Sequence, residues 1–106
     1  MEKLTKTEEP VMQTIWKLKK AFVKDILDYL PEPRPPYNTI SSIVRILETK
    51  KMVGHESFGR THRYYPLVSK GEYRKRVFGS LVKDYFDGSY ADLMSFIIKD
   101  NALSDQ

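Results

Sequence analysis

The residues best suited to chemistry share one side of the segment "YNTISSIVRILETKKM", residues 37–52. At the spacing of a helix, Asn38, Ser42, Arg45 and Thr49 fall together on the side opposite an apolar stripe. Short hydroxyl and amide side chains let a helix backbone approach the base edges in a major groove. An arginine among them can make the bidentate contact with guanine. The pattern therefore predicts a helix that reads double-stranded DNA, with Arg45 as the main base contact.

Neighbouring residues extend this face, and several have a simpler interpretation. Near the entering end of the helix, Thr39 and Ser41 are further candidates for DNA contact, and Lys50 is a candidate phosphate contact at the other end. Alternatively, Asn38 only caps the helix, and Ser41 and Ser42 are only solvated. Lys50 also suits the negative pole at the end of a helix for purely structural reasons.

A β-hairpin is predicted directly after this helix, in "MVGHESFGRTHRYYPLVS". Two β-rich runs, 52–58 and 62–67, flank a turn around Gly59. Arg60 and Arg63, together with Thr61 and His62, lie in or just after the turn, where they can contact the sugar-phosphate backbone. Such contacts add affinity and register but little choice of sequence.

No catalytic or metal site is predicted. His55 and His62 with Glu56, in a chain without cysteine, are a poor set of metal ligands. The sequence contains no glycine-rich phosphate loop, nucleophile elbow or carboxylate–histidine arrangement. We therefore expect neither an enzyme nor a cofactor.

The elements that must position the DNA-facing residues also follow from the pattern. A first helix begins near a Thr5–Glu8 capping box, with Thr7 as a rival cap. A second is predicted over residues 22–30, and the rigid run "PEPRPP" precedes the third. Three helices and a hairpin describe a winged helix-turn-helix, predicted for residues 1–69.

Residues 70–106 are predicted to form a helical dimerisation region. A long amphipathic helix is followed, after Gly88, by a second apolar helix that Ser89 and Asp92 begin as a capping box. A winged domain already has a core, so two copies of the chain are expected to bury this surface against each other. The alternative is that it folds back onto the chain's own helices. The predicted dimerisation residues are Tyr73, Val77, Phe78, Leu81, Val82, Tyr85, Phe86, Leu93, Met94 and Ile97.

Composition is consistent with a DNA-binding protein. The 106 residues carry a net charge of +4, and residues 37–76 hold nine basic against three acidic side chains. Such a local positive field suits a polyanion. No segment approaches the roughly 18 apolar residues of a membrane span, and the charged start does not look like a secretory signal. A cytoplasmic protein without membrane insertion is therefore expected.

The phrases "LTKTEEPVMQTIW", "YNTISSIVRILETKKMV" and "RTHRYYPLVSKGEY" together resemble the penicillinase repressor family, the BlaI/MecI/CopY transcriptional regulators. The resemblance covers essentially the whole chain. It implies a homodimeric repressor of pseudo-palindromic operators with TACA/TGTA-type half-sites. The family's reading helix falls on Tyr37 to Thr49, which adds Tyr37 to the candidate contacts, and its wing falls on Phe58 to Tyr65.

The resemblance also implies a regulatory protease as a partner. In the β-lactam branch of the family, such a protease cuts an Asn-Phe bond in the dimerisation region, and the matching position is Ser95-Phe96. Ser95 replaces the asparagine, and the cysteine ligands of the copper-responsive branch are absent. The rival interpretation of the whole chain is a winged helix used only for protein–protein contact.

Overall fold

The described part of the chain folds into five helices and a small antiparallel sheet. The structure is a computed structural model that describes residues 3–104, with side chains up to residue 101. In chain order the elements are α1 (Glu8–Leu18), β1 (Ala21–Phe22), α2 (Val23–Tyr29), α3 (Tyr37–Thr49), β2 (Val53–Phe58), β3 (Thr61–Pro66), α4 (Lys70–Tyr85) and α5 (Tyr90–Ser104). This confirms the predicted class, a mainly helical winged helix-turn-helix followed by C-terminal helices. Contacts divide the chain into two compact units, residues 3–70 and 71–104.

The start of α1 has the reciprocal hydrogen bonds of a capping box. The Glu8 N–H donates to Thr5 Oγ1 at 3.2 Å, and the Thr5 N–H donates to Glu8 Oε1 at 3.0 Å. Thr7, the rival cap, directly precedes α1 but makes no side-chain cap bond. The capping box predicted from Thr5 and Glu8 is therefore confirmed, and it fixes the carboxylate of Glu8 at the beginning of the helix.

Helix α3 begins and ends where the family resemblance implied, at Tyr37 and Thr49. Its apolar stripe is fully buried and consists of Ile40, Ile43, Val44 and Leu47. Burying this stripe fixes the rotation of the helix, so the opposite face must point to solvent.

The alternative that Asn38 caps α3 is wrong. The capping position is occupied by Pro36, which offers no side-chain cap bond, and Asn38 is the second residue of the helix. A cap must precede the first helical residue, where its side chain can accept from the free N–H groups. The amide of Asn38 is therefore not used as a cap, and the residue is exposed.

The sheet has one strand more than predicted. Its order is β1-β3-β2, with Ala21 opposite Tyr64 and Phe22 opposite Arg63. Phe22 was expected as the first inward residue of the second helix, but it lies in β1 and is half-buried. A two-residue strand is too short to show an alternating pattern, so only its pairing partner reveals it.

The hairpin turn is tighter than the sequence indicated. Only Gly59 and Arg60 separate the paired residues Phe58 and Thr61. Gly59 has a φ of 63°, a left-handed conformation that glycine adopts without steric cost. Thr61 therefore belongs to β3, and Arg60 alone of the predicted wing residues lies in the turn itself.

Residues 71–104 contain a helical hairpin closed by Gly88, whose φ is 81°. Ser89 Oγ accepts the Asp92 N–H at 3.1 Å, as expected for the start of α5. The rings of Phe86 and Phe96 lie 5.8 Å apart between centroids. None of the helices within the described residues is long and apolar enough to cross a membrane.

Three of the predicted dimerisation residues are not available for an interface, because Tyr73, Val82 and Leu93 are buried within the chain itself. Val77, Leu81 and Phe86 are partly buried. Packing within one chain already removes these three side chains from water. The predicted dimerisation residues that remain exposed are Phe78, Tyr85, Met94 and Ile97.

Candidate nucleic-acid interface

The solvent face of α3 is polar and continuous. Asn38, Thr39, Ser42, Arg45 and Thr49 are all exposed. Because the helix buries only its apolar stripe, these side chains stand out from a rigid support. Hydroxyl, amide and guanidinium groups on such a support can hydrogen-bond to base edges.

A cleft of about 510 Å³ lies beside this face, between α3 and the hairpin. It brings together five of the predicted contacts, with Tyr37, Ser41 and Arg45 coming from α3 and Arg60 and Thr61 from the hairpin. These residues are separated in sequence, and the fold places them around one concave surface. A sugar-phosphate backbone is the kind of ligand that such a surface can accept.

The cleft is predominantly cationic. Lys24 of α2 joins Arg45 and Arg60 along its lining, and Asp25 is the acidic residue there. Asp25 Oδ2 accepts the Phe22 N–H at 2.9 Å, so its carboxylate is held at the start of α2. The excess of positive charge favours a polyanion.

Arg45 and Thr49 each form one hydrogen bond with their own helix. Arg45 Nε donates to the Ser41 carbonyl at 3.3 Å, and the Thr49 hydroxyl donates to the Arg45 carbonyl at 3.0 Å. The arginine bond is long and exposed, so the guanidinium can leave it at little cost. The Thr49 oxygen keeps its capacity to accept a hydrogen bond from a base.

Lys50 does not lie on this face as a free cation, which counts against its predicted phosphate contact. Its Nζ donates to both carboxylate oxygens of Glu8 at 3.0 Å. The Glu8 side chain is 5% exposed and that of Lys50 24%. The pair ties the end of α3 to the start of α1, so Lys50 helps to position α3.

Glu8 is ionised in this setting. Burial alone would raise the pKa of its carboxyl, but the hydrogen bonds from Thr5 and the hydrogen bonds and charge of Lys50 outweigh burial. Together they hold the pKa below its ordinary value.

Arg63 also has partners within the chain. Its guanidinium donates to Glu56 Oε1 at 3.1 Å and lies 4.8 Å from the centre of the Phe58 ring. The hydrogen bond from Arg63, followed by that from Lys20, lowers the pKa of Glu56. Arg63 is not among the residues that line the cleft, although His62 and Tyr64 on either side of it are. The geometry therefore counts against Arg63 as a phosphate contact.

The two histidines stack on the cleft side of the hairpin. Their rings are nearly parallel, with centroids 4.0 Å apart, and His55 Nδ1 is hydrogen-bonded to Glu48 Oε2 of α3. Burial, followed by the charge of Glu48, raises the pKa of the adjacent Tyr64 hydroxyl. Across the described residues no group of three or more His, Cys, Asp or Glu side chains could hold a metal ion.

Sequence reasoning missed two residues of this region. Ile46 is 47% exposed on α3, one turn after Ser42, and an exposed apolar side chain there can contact a thymine methyl. Its helical spacing from Ser42 was visible in the sequence. Lys24 lines the cleft because of the tertiary fold, and no local signal predicts that placement.

The three-helix unit, the hairpin and the polar face of α3 define a winged-helix DNA-binding protein. A family model for the penicillinase repressor matches residues 4–106. The chain belongs to the penicillinase repressor family and is a DNA-binding transcriptional repressor, a class that is not enzymatic.

Solved structures agree with this assignment. The sequence of a CopR repressor of known structure is 30% identical to this chain. The match covers 64% of this chain and 100% of that one, and its TM-score is 0.53. The BpsR protein of Bordetella bronchiseptica is 13% identical, with a TM-score of 0.55 over 99% of this chain and 78% of its own, and shows the fold alone. No curated protein matches the sequence.

Proposed function

We propose that this repressor binds a pseudo-palindromic operator as a homodimer and that each subunit reads one half-site with α3. The observation that carries the proposal is the exposed polar face of α3 beside a cationic cleft. Inserting a helix of this kind into the major groove is the usual geometry of helix-turn-helix proteins, and two-fold symmetric sites mirror two-fold symmetric proteins.

Separate roles follow for the two parts of the interface. Arg45 reads a guanine, while the exposed short side chains of α3 and Ile46 contact neighbouring base edges. Tyr37, Ser41, Arg60 and Thr61 line the cleft and contact the sugar-phosphate backbone, with Lys24 as an additional phosphate contact. Base contacts give sequence choice, and phosphate contacts give affinity and register.

Exposed apolar side chains support pairing of two copies through residues 71–104. Tyr85 is 75% exposed, and Phe96 and Ile98 are 58% and 62% exposed. Large exposed apolar surfaces mark sites of protein association. A second copy of the chain would cover these residues and hold two reading helices at one spacing.

Proteolysis within α5 is a route to derepression. Ser95 and Phe96 are exposed, but their peptide bond lies inside the helix. A regulatory protease would therefore require local unwinding of α5 before cutting. The cut would break the pairing segment, and the gain in affinity from binding two half-sites together would be lost.

Selection of duplexes from a random pool tests the proposal. We expect an inverted repeat to be enriched, and we expect affinity for it to fall steeply with salt because binding releases counterions. The chain carrying Arg45→Ala is the matched control and should enrich the repeat weakly. Failure to enrich any sequence at low salt would contradict the proposal.

A further inference from the structure

A second cleft lies in the unit of residues 3–70 and is separate from the DNA-facing one. Its volume is about 570 Å³, and α1, α2 and the segment around the end of β3 form its lining. Clefts of roughly 300–1,000 Å³ are the usual size for small-molecule sites. None of its lining residues is used by the proposed DNA contacts.

Aromatic rings and proline make up the apolar part of this cleft. Trp16 comes from α1, Tyr29 from α2, and Pro66 from the end of β3. Trp16 Nε1 donates to the Val68 carbonyl at 2.8 Å, which fixes the indole. Tyr29 is half-exposed. A flat ring can stack on such side chains with little loss of conformational freedom in the protein.

The polar part of the cleft favours a negative charge. Lys17 and Lys70 line it, together with the amide of Gln13, and no Asp or Glu is among its described lining residues. Both lysines are exposed, and neither forms an ion pair with any side chain described between residues 3 and 101. Two ammonium groups beside an apolar surface, without a neutralising carboxylate, complement an anion that also carries an apolar ring.

We propose that this cleft binds a small aromatic carboxylate, with its ring against Trp16 and Tyr29 and its carboxylate near Lys17 and Lys70. The ring accounts for the apolar surface, and the carboxylate accounts for the two lysines. A neutral aromatic molecule would leave the ammonium groups without a partner. Inorganic phosphate would leave the rings exposed to water.

The single tryptophan of the chain provides a direct readout. In the ¹⁵N-labelled full-length protein, the only indole N–H resonance belongs to Trp16. Titration with 4-hydroxybenzoate should shift this resonance saturably. 4-Hydroxybenzamide, which has the same ring without the charge, should bind about three- to tenfold more weakly. Inorganic phosphate should leave the resonance in place.

Matched lysine variants test the position of the carboxylate. Lys17→Gln and Lys70→Gln should each weaken binding of 4-hydroxybenzoate about three- to tenfold. Lys24→Gln removes the same charge from an exposed lysine of the other cleft and should leave binding unchanged. The backbone amide spectrum reports whether each variant keeps its fold.

The assignment would be overturned by the absence of a saturable shift with 4-hydroxybenzoate, by an equal response to the amide, or by equal weakening by all three lysine substitutions. An equal response to phosphate would also reject it, because the rings would then play no part. Operator selection does not depend on these outcomes, so failure here is distinguishable from failure of the proposed function.

Discussion

Helices α3 and α5 expose opposite kinds of surface. Helix α3 buries four aliphatic residues and presents short polar side chains and Arg45. In α5 only Leu93 is buried among the side chains that the structure describes, while Met94, Phe96 and Ile98 are exposed. Exposing so many large apolar side chains to water is unfavourable for α5. The polar surface of α3, in contrast, is stable in water.

This difference separates two kinds of partner. Polar side chains are hydrated in the free protein, so leaving them exposed costs little free energy. In a DNA groove they can form specific hydrogen bonds with the base edges. Apolar groups gain free energy only when another apolar surface covers them. The proposed function assigns DNA reading to α3 and pairing to α5, and the following substitutions test this division and the residues that support α3.

The largest effect is expected from Met94→Asp in α5. A carboxylate at this exposed apolar position would be buried without a partner in a dimer, which should raise the dimer dissociation constant at least about a hundredfold. Sedimentation velocity measures the result. Lys99→Asp places the same group on a neighbouring exposed residue and serves as the control. A dimer unchanged by Met94→Asp would remove α5 from the interface. Leu93 is unsuitable for this test, because its burial means that a charge there would disturb folding.

The next effect is expected from Arg45→Ala in α3. Loss of one bidentate contact with guanine should cost about 1–3 kcal/mol of operator binding and leave binding to random DNA unchanged. Fluorescence anisotropy with labelled duplexes at one salt concentration measures both. Equal losses on the two duplexes would show that Arg45 contacts only phosphate.

Lys50→Ala tests whether α3 is anchored through its end. Removing the ammonium leaves the nearly buried carboxylate of Glu8 without its charged partner, which should lower the free energy of unfolding by about 1–3 kcal/mol. Urea denaturation measures this change. Lys24→Ala, at an exposed lysine of α2, should have almost no effect on stability. Similar stabilities for the two variants would contradict the anchoring role.

Arg60→Ala and Arg63→Ala compare an arginine of the hairpin that lines the cleft with one that does not. Arg60 lines the cleft, so its loss should weaken all DNA sequences alike and reduce the slope of log affinity against log salt by about one. Arg63 is held by Glu56 and Phe58, so its loss should leave that slope unchanged. A change of slope with Arg63→Ala would return this residue to the DNA interface.

The smallest effect concerns pH. The folded pKa of Glu8 lies below its ordinary value, so its contribution to stability is complete above the unfolded pKa and is lost as pH falls through the folded pKa. The free energy of unfolding is measured for the unaltered chain and for Glu8→Gln, from neutral pH down through the range in which carboxyl groups titrate. The two curves of this free energy against pH should converge in acid. Parallel curves would assign the effect to other carboxyl groups.

Much of the reading unit could be predicted from the sequence. The bounds of α3 followed from the family resemblance, whereas its buried stripe, its polar face and the capping box of α1 all depend on residues within one or two helical turns of one another. Helical periodicity records such neighbours directly. Contact between Arg45 and a base stays a prediction. The exposed side chain of Arg45 is free to reach a base edge, and the binding measurements above test whether it does so.

The sequence by itself determined which side of α3 is polar and that residues 71–104 carry more apolar surface than solvated helices need. Only the tertiary structure decided how the basic side chains are used. Lys50 meets Glu8 across 42 positions of sequence, and Arg63 is engaged by Glu56 on the neighbouring strand. The structure likewise paired β1 with β3 and buried Leu93. Local spacing fixes the direction of a side chain on its own element, but its partner comes from another part of the chain and is set by how the elements pack.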